Sequence, residues 1–181
     1  MNCKNITQEV IMALFIGYHG TNSNTAKNII RTNFSFNTTK PGWLGSGIYF
    51  FEENEGLARY WGNLKSPGNA SVLRTEIDVP DDKIFDVSDP SSDHSKTFHA
   101  FREQLLPVLH EKQINIKAEN KTDFDGKILN MICIKEKYQL VRSFTYTYID
   151  YDRKNGTFSR FPNGIELCLK NNGYIVNKQI V

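Results

Sequence analysis

Between Gly42 and Phe51 the chain reads Gly-Trp-Leu-Gly-Ser-Gly-Ile-Tyr-Phe-Phe. Glycine lets a backbone turn tightly and come close to a neighbour or a ligand. The Ile-Tyr-Phe-Phe that follows has the β-branched and aromatic composition of a buried strand. A tight turn that feeds directly into such a strand sets a corner at the rim of a core. Tyr49, at the mouth of the strand, can offer its ring face to a planar ligand. A hairpin corner with core aromatics explains this stretch equally well by itself, so the rest of the chain has to decide.

At 181 residues the chain has the size of a single domain, 1–181. Residues 1–9 are polar and read as loose or briefly helical. The apolar fraction of 39% suits a soluble protein, and the net charge of +2 is too weak to argue for nucleic acid by charge alone. Three cysteines, Cys3, Cys133 and Cys168, give no disulfide framework and fit a reducing cytoplasm. The histidines His19, His94, His99 and His110 make no zinc-ligand spacing with them, and no metal is expected. The long apolar run, Val10 to Tyr18, is too short for a bilayer span. Glu9 directly before it and the absence of a small-residue cleavage site argue against a signal peptide. The run reads as a buried strand, so no membrane partner is expected.

The remaining pattern mixes helices and strands without a regular βαβ rhythm, which argues for an α+β fold. Ile11–Tyr18 and Ser71–Val79 read as strands, and a helix with Ala26, Ile29 and Ile30 inward separates the first of them from the glycine stretch. Glu52–Trp61, Thr97–Lys112 and Asp123–Lys137 read as helices. Leu140–Ile149 alternates as a strand at a sheet edge, and Tyr151–Asn163 reads as a polar loop. Ile165–Lys170 closes the pattern as a strand, followed by a short edge piece at Tyr174–Val176.

Three residues stand out from this background. His19 ends the first strand within Tyr18-His19-Gly20-Thr21, Tyr49 sits in the glycine-rich strand, and Glu166 is a single carboxylate in the otherwise apolar Asn163-Gly-Ile-Glu-Leu-Cys-Leu-Lys170. Taken singly, each has an ordinary account as a strand-end hydrogen bond, a core ring or a solvated acid. Their order is more informative. Tyr-His-Gly-Thr, then Ala26-x-x-Ile29, then Gly42 to Phe50, then Ala58 and Tyr60, resembles the NAD-binding half of the poly(ADP-ribose) polymerase-like and diphtheria-toxin-like ADP-ribosyltransferases, which carry a His-Tyr-Glu triad. The segment around Glu166 resembles that family's final strand with its catalytic glutamate. The resemblance covers 17–61 and 161–171 and is weak in between.

The resemblance implies an ADP-ribosyltransferase fold, with split mixed β-sheets around a central NAD cleft flanked by helices. It implies NAD as co-substrate, with Tyr49 stacking on nicotinamide and Tyr60 as a second stacking ring. Gly20 would offer its backbone to the carboxamide, His19 would bind the adenosine-side ribose, and Thr21 would support that turn. Glu166 would hold the 2′-hydroxyl of the nicotinamide ribose and stabilise the sugar cation formed when nicotinamide leaves. Residue types agree with that chemistry: an aromatic face suits a cationic ring, and a carboxylate suits a developing sugar cation.

Two positions depart from the pattern. Leu57 stands at about the place where polymerases of the family carry a nicotinamide-contacting serine, and Gly164 stands two before Glu166, where arginine-modifying toxins carry Gln or Glu. Arginine is therefore disfavoured as acceptor. With no helical regulatory domain ahead of the motifs, mono-ADP-ribosylation is expected rather than polymer synthesis. In the segment before Glu166, Arg153, Lys154 and Arg160 suit phosphates, while Tyr151, Phe158 and Phe161 suit bases. This points to a nucleic-acid acceptor, RNA or single-stranded DNA, with protein as the other macromolecular class. A toxin or anti-phage defence effector, paired with an antitoxin or immunity protein, is what the resemblance implies. The competing readings are an NAD glycohydrolase that uses water, a non-catalytic domain that binds ADP-ribose or a partner, and, ranked lower, an RNA 2′-phosphotransferase.

Overall fold

The computed structural model describes residues 10–36, 38–39, 41–112 and 121–181. The expectation for residues 1–9 lies outside them. Seven strands and five helices are described: β1 (Met12–Asn22), α1 (Ser23–Arg31), β2 (Ile48–Glu52), α2 (Glu55–Lys65), β3 (Ala70–Pro80), β4 (Ile84–Asp86), α3 (Asp93–Glu111), α4 (Lys121–Glu136), β5 (Leu140–Thr145), α5 (Asp150–Asn155), β6 (Gly164–Leu169) and β7 (Ile175–Ile180). The fold is α+β. The strands form one mixed sheet in the order β4-β5-β6-β2-β1-β3-β7, in which β4 and β5 are parallel and every other pair is antiparallel.

The split expected between two sheets is a weak seam in one. β1 runs beside β3 for eleven residue pairs, from Met12↔Pro80 to Asn22↔Ala70. It meets β2 through only Gly17↔Glu52 and Tyr18↔Phe51. Beyond Tyr18 the two strands part, and the sheet opens there.

The register sorts side chains onto two faces, because successive residues of a strand alternate. Tyr18, Phe51, Glu166 and Ser143 lie opposite one another across four strands, and Tyr49, Cys168 and Val141 share their face. On this side α2 packs Leu57 and Ala58 against Tyr18, Phe51 and Val72. Nearby, α4 packs Ile128, Leu129 and Ile132 against Phe85, Val141 and Cys168. The opposite face buries Phe50, Leu73, Ile77 and Leu167 under α1, through Ala26 and Ile29, and under Phe34. Full burial of one such aliphatic side chain contributes about 1.5–3 kcal/mol.

Several elements differ from expectation for identifiable reasons. β1 is longer than Ile11–Tyr18, and its outer end is not buried: Val10, Ile11, Met12 and Leu14 are exposed. Only Ala13 and Phe15, on the other face, pack against the core there. The helix expected from Glu52 begins at Glu55, because the Asn54 side chain accepts from Leu57 N (2.9 Å) and caps it. Glu52 instead ends β2 and pairs with Arg142 (2.7 Å), which also holds Asp86 (2.8 Å). β5 stops at Thr145 and lies inside the sheet, with β4 at the edge. Past it, Asn163 bonds both backbone groups of Thr147 (2.8 Å each), standing in for a strand partner. The polar loop expected at Tyr151–Asn163 begins as the short helix α5. Asp152 holds Ile149 N (3.2 Å) at its start, and Gly156 closes it at φ +61°. Both faces of β6 are covered, so Cys168 is as buried as Leu167 and Leu169.

Candidate active site

The seam between β1 and β2 opens into a cavity of about 440 Å3 lined by Tyr18, His19, Gly20, Gly42, Trp43, Tyr49, Phe50, Phe51, Trp61 and Glu166. Its size lies in the usual range for small-molecule sites. The chain brings four separate pieces to it: the end of β1, the glycine turn with β2, α2 and β6.

His19 holds the seam open. Ile16 O accepts from Glu53 N (2.9 Å), so the backbone of Ile16 faces β2. Alternate residues point the same way, which directs the N–H and C=O of Tyr18 and Gly20 toward β2 as well. A continued ladder would pair Gly20 with Tyr49. Instead the His19 ring donates from Nδ1 to Tyr49 O at 2.7 Å. The side chain takes the carbonyl that a strand would have used, and Gly20 is left with its backbone groups facing the cleft. A carbonyl only accepts, so Nδ1 carries the proton. Burial lowers the His19 pKa, opposed by the bond to Tyr49 O, and the ring is therefore neutral at pH 7. Among the described residues Nε2 has no hydrogen-bond partner, which makes it an acceptor for a ligand hydroxyl. Phe34 and Phe50 fix the ring edge-on at 5.3 and 5.9 Å between centroids.

Gly20 cannot carry a side chain. A Cβ there would fall 1.8 Å from Ala58 O of α2. The bare Cα lets α2 sit directly on β1, which places Trp61 on the cavity wall.

Tyr49 uses its two ends differently. Its hydroxyl donates to Gly45 O (2.7 Å) and accepts from Leu44 N (2.9 Å), clasping the glycine turn, while its ring lines the cavity. Burial, with Cys168 and Glu166 nearby, holds the phenol far above its ordinary pKa, so it stays protonated. The turn itself is a reciprocal pair, Gly42 N to Gly45 O (3.2 Å) and Gly45 N to Gly42 O (3.0 Å), with Gly45 at φ +88°. Asn130 of α4 bonds Ser46 N (2.8 Å) and Lys170 bonds Leu44 O (2.7 Å). The loop that carries Trp43 is thus pinned from three sides.

Trp43 does more than pack the glycine turn. Its Nε1 donates to Glu166 Oε2 at 3.0 Å. Burial raises the Glu166 pKa, while the hydrogen bonds from Thr145 and Trp43 oppose that rise. An indole N–H can only donate, so the contact favours the ionised carboxylate and fixes its direction. Trp43 also walls off a second cavity of about 220 Å3, in which Ser143, the cross-strand neighbour of Glu166, is a lining residue. An indole beside a glycine turn was the available signal, since a buried Trp N–H usually finds a partner.

Of the residues singled out from sequence, His19, Gly20, Tyr49 and Glu166 meet in this cavity. Thr21 and Tyr60 are not among its lining residues. Thr21 N lies 3.3 Å from where a Cβ on Gly62 would be, beside α2. The Tyr60 hydroxyl donates to Asp150 Oδ1 (3.0 Å) and accepts from Arg153 Nε (3.3 Å), so it ties α2 to α5. Lys154 in the last turn of α5, and Phe158 and Arg160 after it, are exposed and outside the cavity. The two departures from the family pattern touch each other: a Cβ on Gly164 would meet Leu57 Cδ1 at 2.6 Å. A longer residue at 164 would require Leu57 to turn away.

Among the described residues no group of three or more His, Cys, Asp or Glu is placed to hold a metal ion. None of their helices is long and apolar enough to cross a membrane. Compared with protein-family models, curated proteins and solved structures, the chain finds no match.

Proposed function

We propose that the chain is an NAD-dependent mono-ADP-ribosyltransferase, which releases nicotinamide and passes ADP-ribose to a macromolecule. The observation that carries this reading is the convergence of a half-buried carboxylate, a backbone pair facing a cleft, a neutral imidazole and an aromatic wall on one cavity. NAD would supply a cationic leaving group joined to a sugar that can carry positive charge.

The residues present suit that ligand. Gly20 N–H and C=O match the donor and acceptor of a carboxamide. The Tyr49 ring offers a face to a cationic heterocycle. His19 Nε2 accepts from a ribose hydroxyl. Glu166, held by Trp43, places negative charge where the sugar cation develops, and a fixed charge in a water-poor site is worth several kcal/mol. The C1′–nitrogen bond breaks with its electron pair going to nicotinamide. The acceptor atom bonds C1′ and gives its proton to solvent. Water in place of the macromolecule makes the same residues an NAD glycohydrolase. A role as a toxin or defence effector with a neutralising protein partner follows the same resemblance.

The test is incubation of the protein with NAD labelled on the adenylate and a whole-cell lysate, followed by separate digestion with protease, RNase and DNase. Transfer predicts label in one macromolecular class. Free ADP-ribose alone supports the hydrolase, and intact NAD overturns both.

A further inference from the structure

Four aromatic side chains stand exposed within one short stretch, Tyr148, Tyr151, Phe158 and Phe161, and Tyr151 and Phe161 are 70% and 83% exposed. Ile149 is exposed beside them. Rings of this size left in water mark a contact surface. Arg153, Lys154 and Arg160 are exposed among them. Against these three cations stand two acids of the same stretch, of which only Asp150 is exposed. Asp152 is buried and accepts from Tyr146 (2.6 Å), and Asp150 accepts from Tyr60. The outward charge is therefore positive although the whole chain carries only +2.

We propose that this surface binds single-stranded polynucleotide, which would be the acceptor of the reaction proposed above and rests on that reading. Separate rings alternating with cations match bases and phosphates along a strand. A protein partner fits less well. Its contact core would favour contiguous apolar area and exclude lysine, whereas here the rings are interrupted by Arg153, Lys154 and Arg160. Location fits as well. Phe161 precedes Glu166 by five residues, a span of at most ~18 Å of extended chain, so a strand lying on these rings reaches the carboxylate.

The experiment is fluorescence anisotropy of the full chain with labelled single-stranded RNA, single-stranded DNA and duplex DNA, without NAD. Because NAD is left out, this result is independent of whether the wild-type protein releases nicotinamide. Binding to one or both single strands, and weaker binding to duplex, is expected. Phe158→Ala and Phe161→Ala should each weaken it roughly 5- to 150-fold. Lys154→Gln and Arg160→Gln should each reduce the slope of log affinity against log salt by roughly 0.7. All four positions are exposed, and thermal melting checks that the variants remain folded. Equal binding to duplex, no binding at low salt, or affinity unchanged in the Phe158→Ala/Phe161→Ala variant would overturn the proposal. So would lysate labelling that resists both nucleases and is removed by protease.

Discussion

Trp43 and Glu166 lie 123 residues apart in the chain and meet at 3.0 Å, indole Nε1 to carboxylate Oε2. The loop carrying Trp43 is itself pinned by Tyr49, Asn130 and Lys170. Glu166 is therefore aimed by a residue whose own position is set by β2, α4 and the residue that follows β6.

This makes Trp43 a positioning residue with a distinctive signature. Trp43→Phe keeps the ring and removes the donor. The Glu166 carboxyl then loses one of the two bonds that oppose its raised pKa. A hydrogen bond to a charged group contributes about 1.5–3 kcal/mol, so turnover should fall roughly 10- to 100-fold. The acid limb of the pH profile for nicotinamide release should move to higher pH, because a larger fraction of Glu166 is protonated at any given pH. A smaller rate with an unmoved limb would assign Trp43 to packing.

Tyr49→Phe separates the clasp from the wall. The ring remains, but Leu44 N loses its acceptor and Gly45 O one of its donors. An unsatisfied buried group costs about 1–3 kcal/mol, which denaturant titration would read. Loosening the loop that aims Trp43 should lower kcat roughly 10- to 100-fold with little change in KM for NAD. A raised KM with unchanged kcat would contradict this division.

His19 predicts a pH-dependent stability. Burial holds its pKa below the ordinary 6.5. The unfolded chain therefore takes up this proton before the folded one does. The contribution is fully present above about pH 6.5 and is lost as pH falls below it. Glu166 acts in the opposite sense, since its raised pKa makes the folded state more stable as pH drops. Glu166→Gln removes that term, and in this background stability from pH 7.5 to 5.5 should fall with His19 present and fall less with His19→Gln. An identical decline in both would show that His19 is not the group responsible.

The strands of the site were legible because their residues carry a two-residue period or an unbroken apolar run. β3 and β6 announce themselves by alternation, and the glycine turn before β2 by composition. The seam itself could not be read, because it depends on His19 reaching Tyr49 O across thirty residues. The role of Trp43 is hidden for the same reason: its partner is remote in sequence. α5 was taken for loop because six residues cannot show a helical apolar period. Its only signals were Asp152 at the start and Gly156 at the end. The exposed end of β1 shows the converse error. An apolar run suggested burial on both faces, but α2 covers only the part near Tyr18.

In the proposed reaction Glu166 drives cleavage of the nicotinamide–ribose bond in the cavity at the β1–β2 seam. The most direct measurement is nicotinamide release from NAD by the purified chain, beside Glu166→Gln. That substitution keeps the shape and an oxygen for Trp43 but removes the charge. Release by the wild type is expected, with a loss of roughly 10²–10³-fold in the variant. The variant should also be the more stable protein at neutral pH, because a carboxylate held ionised against burial is gone. No release by the wild type, or equal release by both, would contradict this role for Glu166.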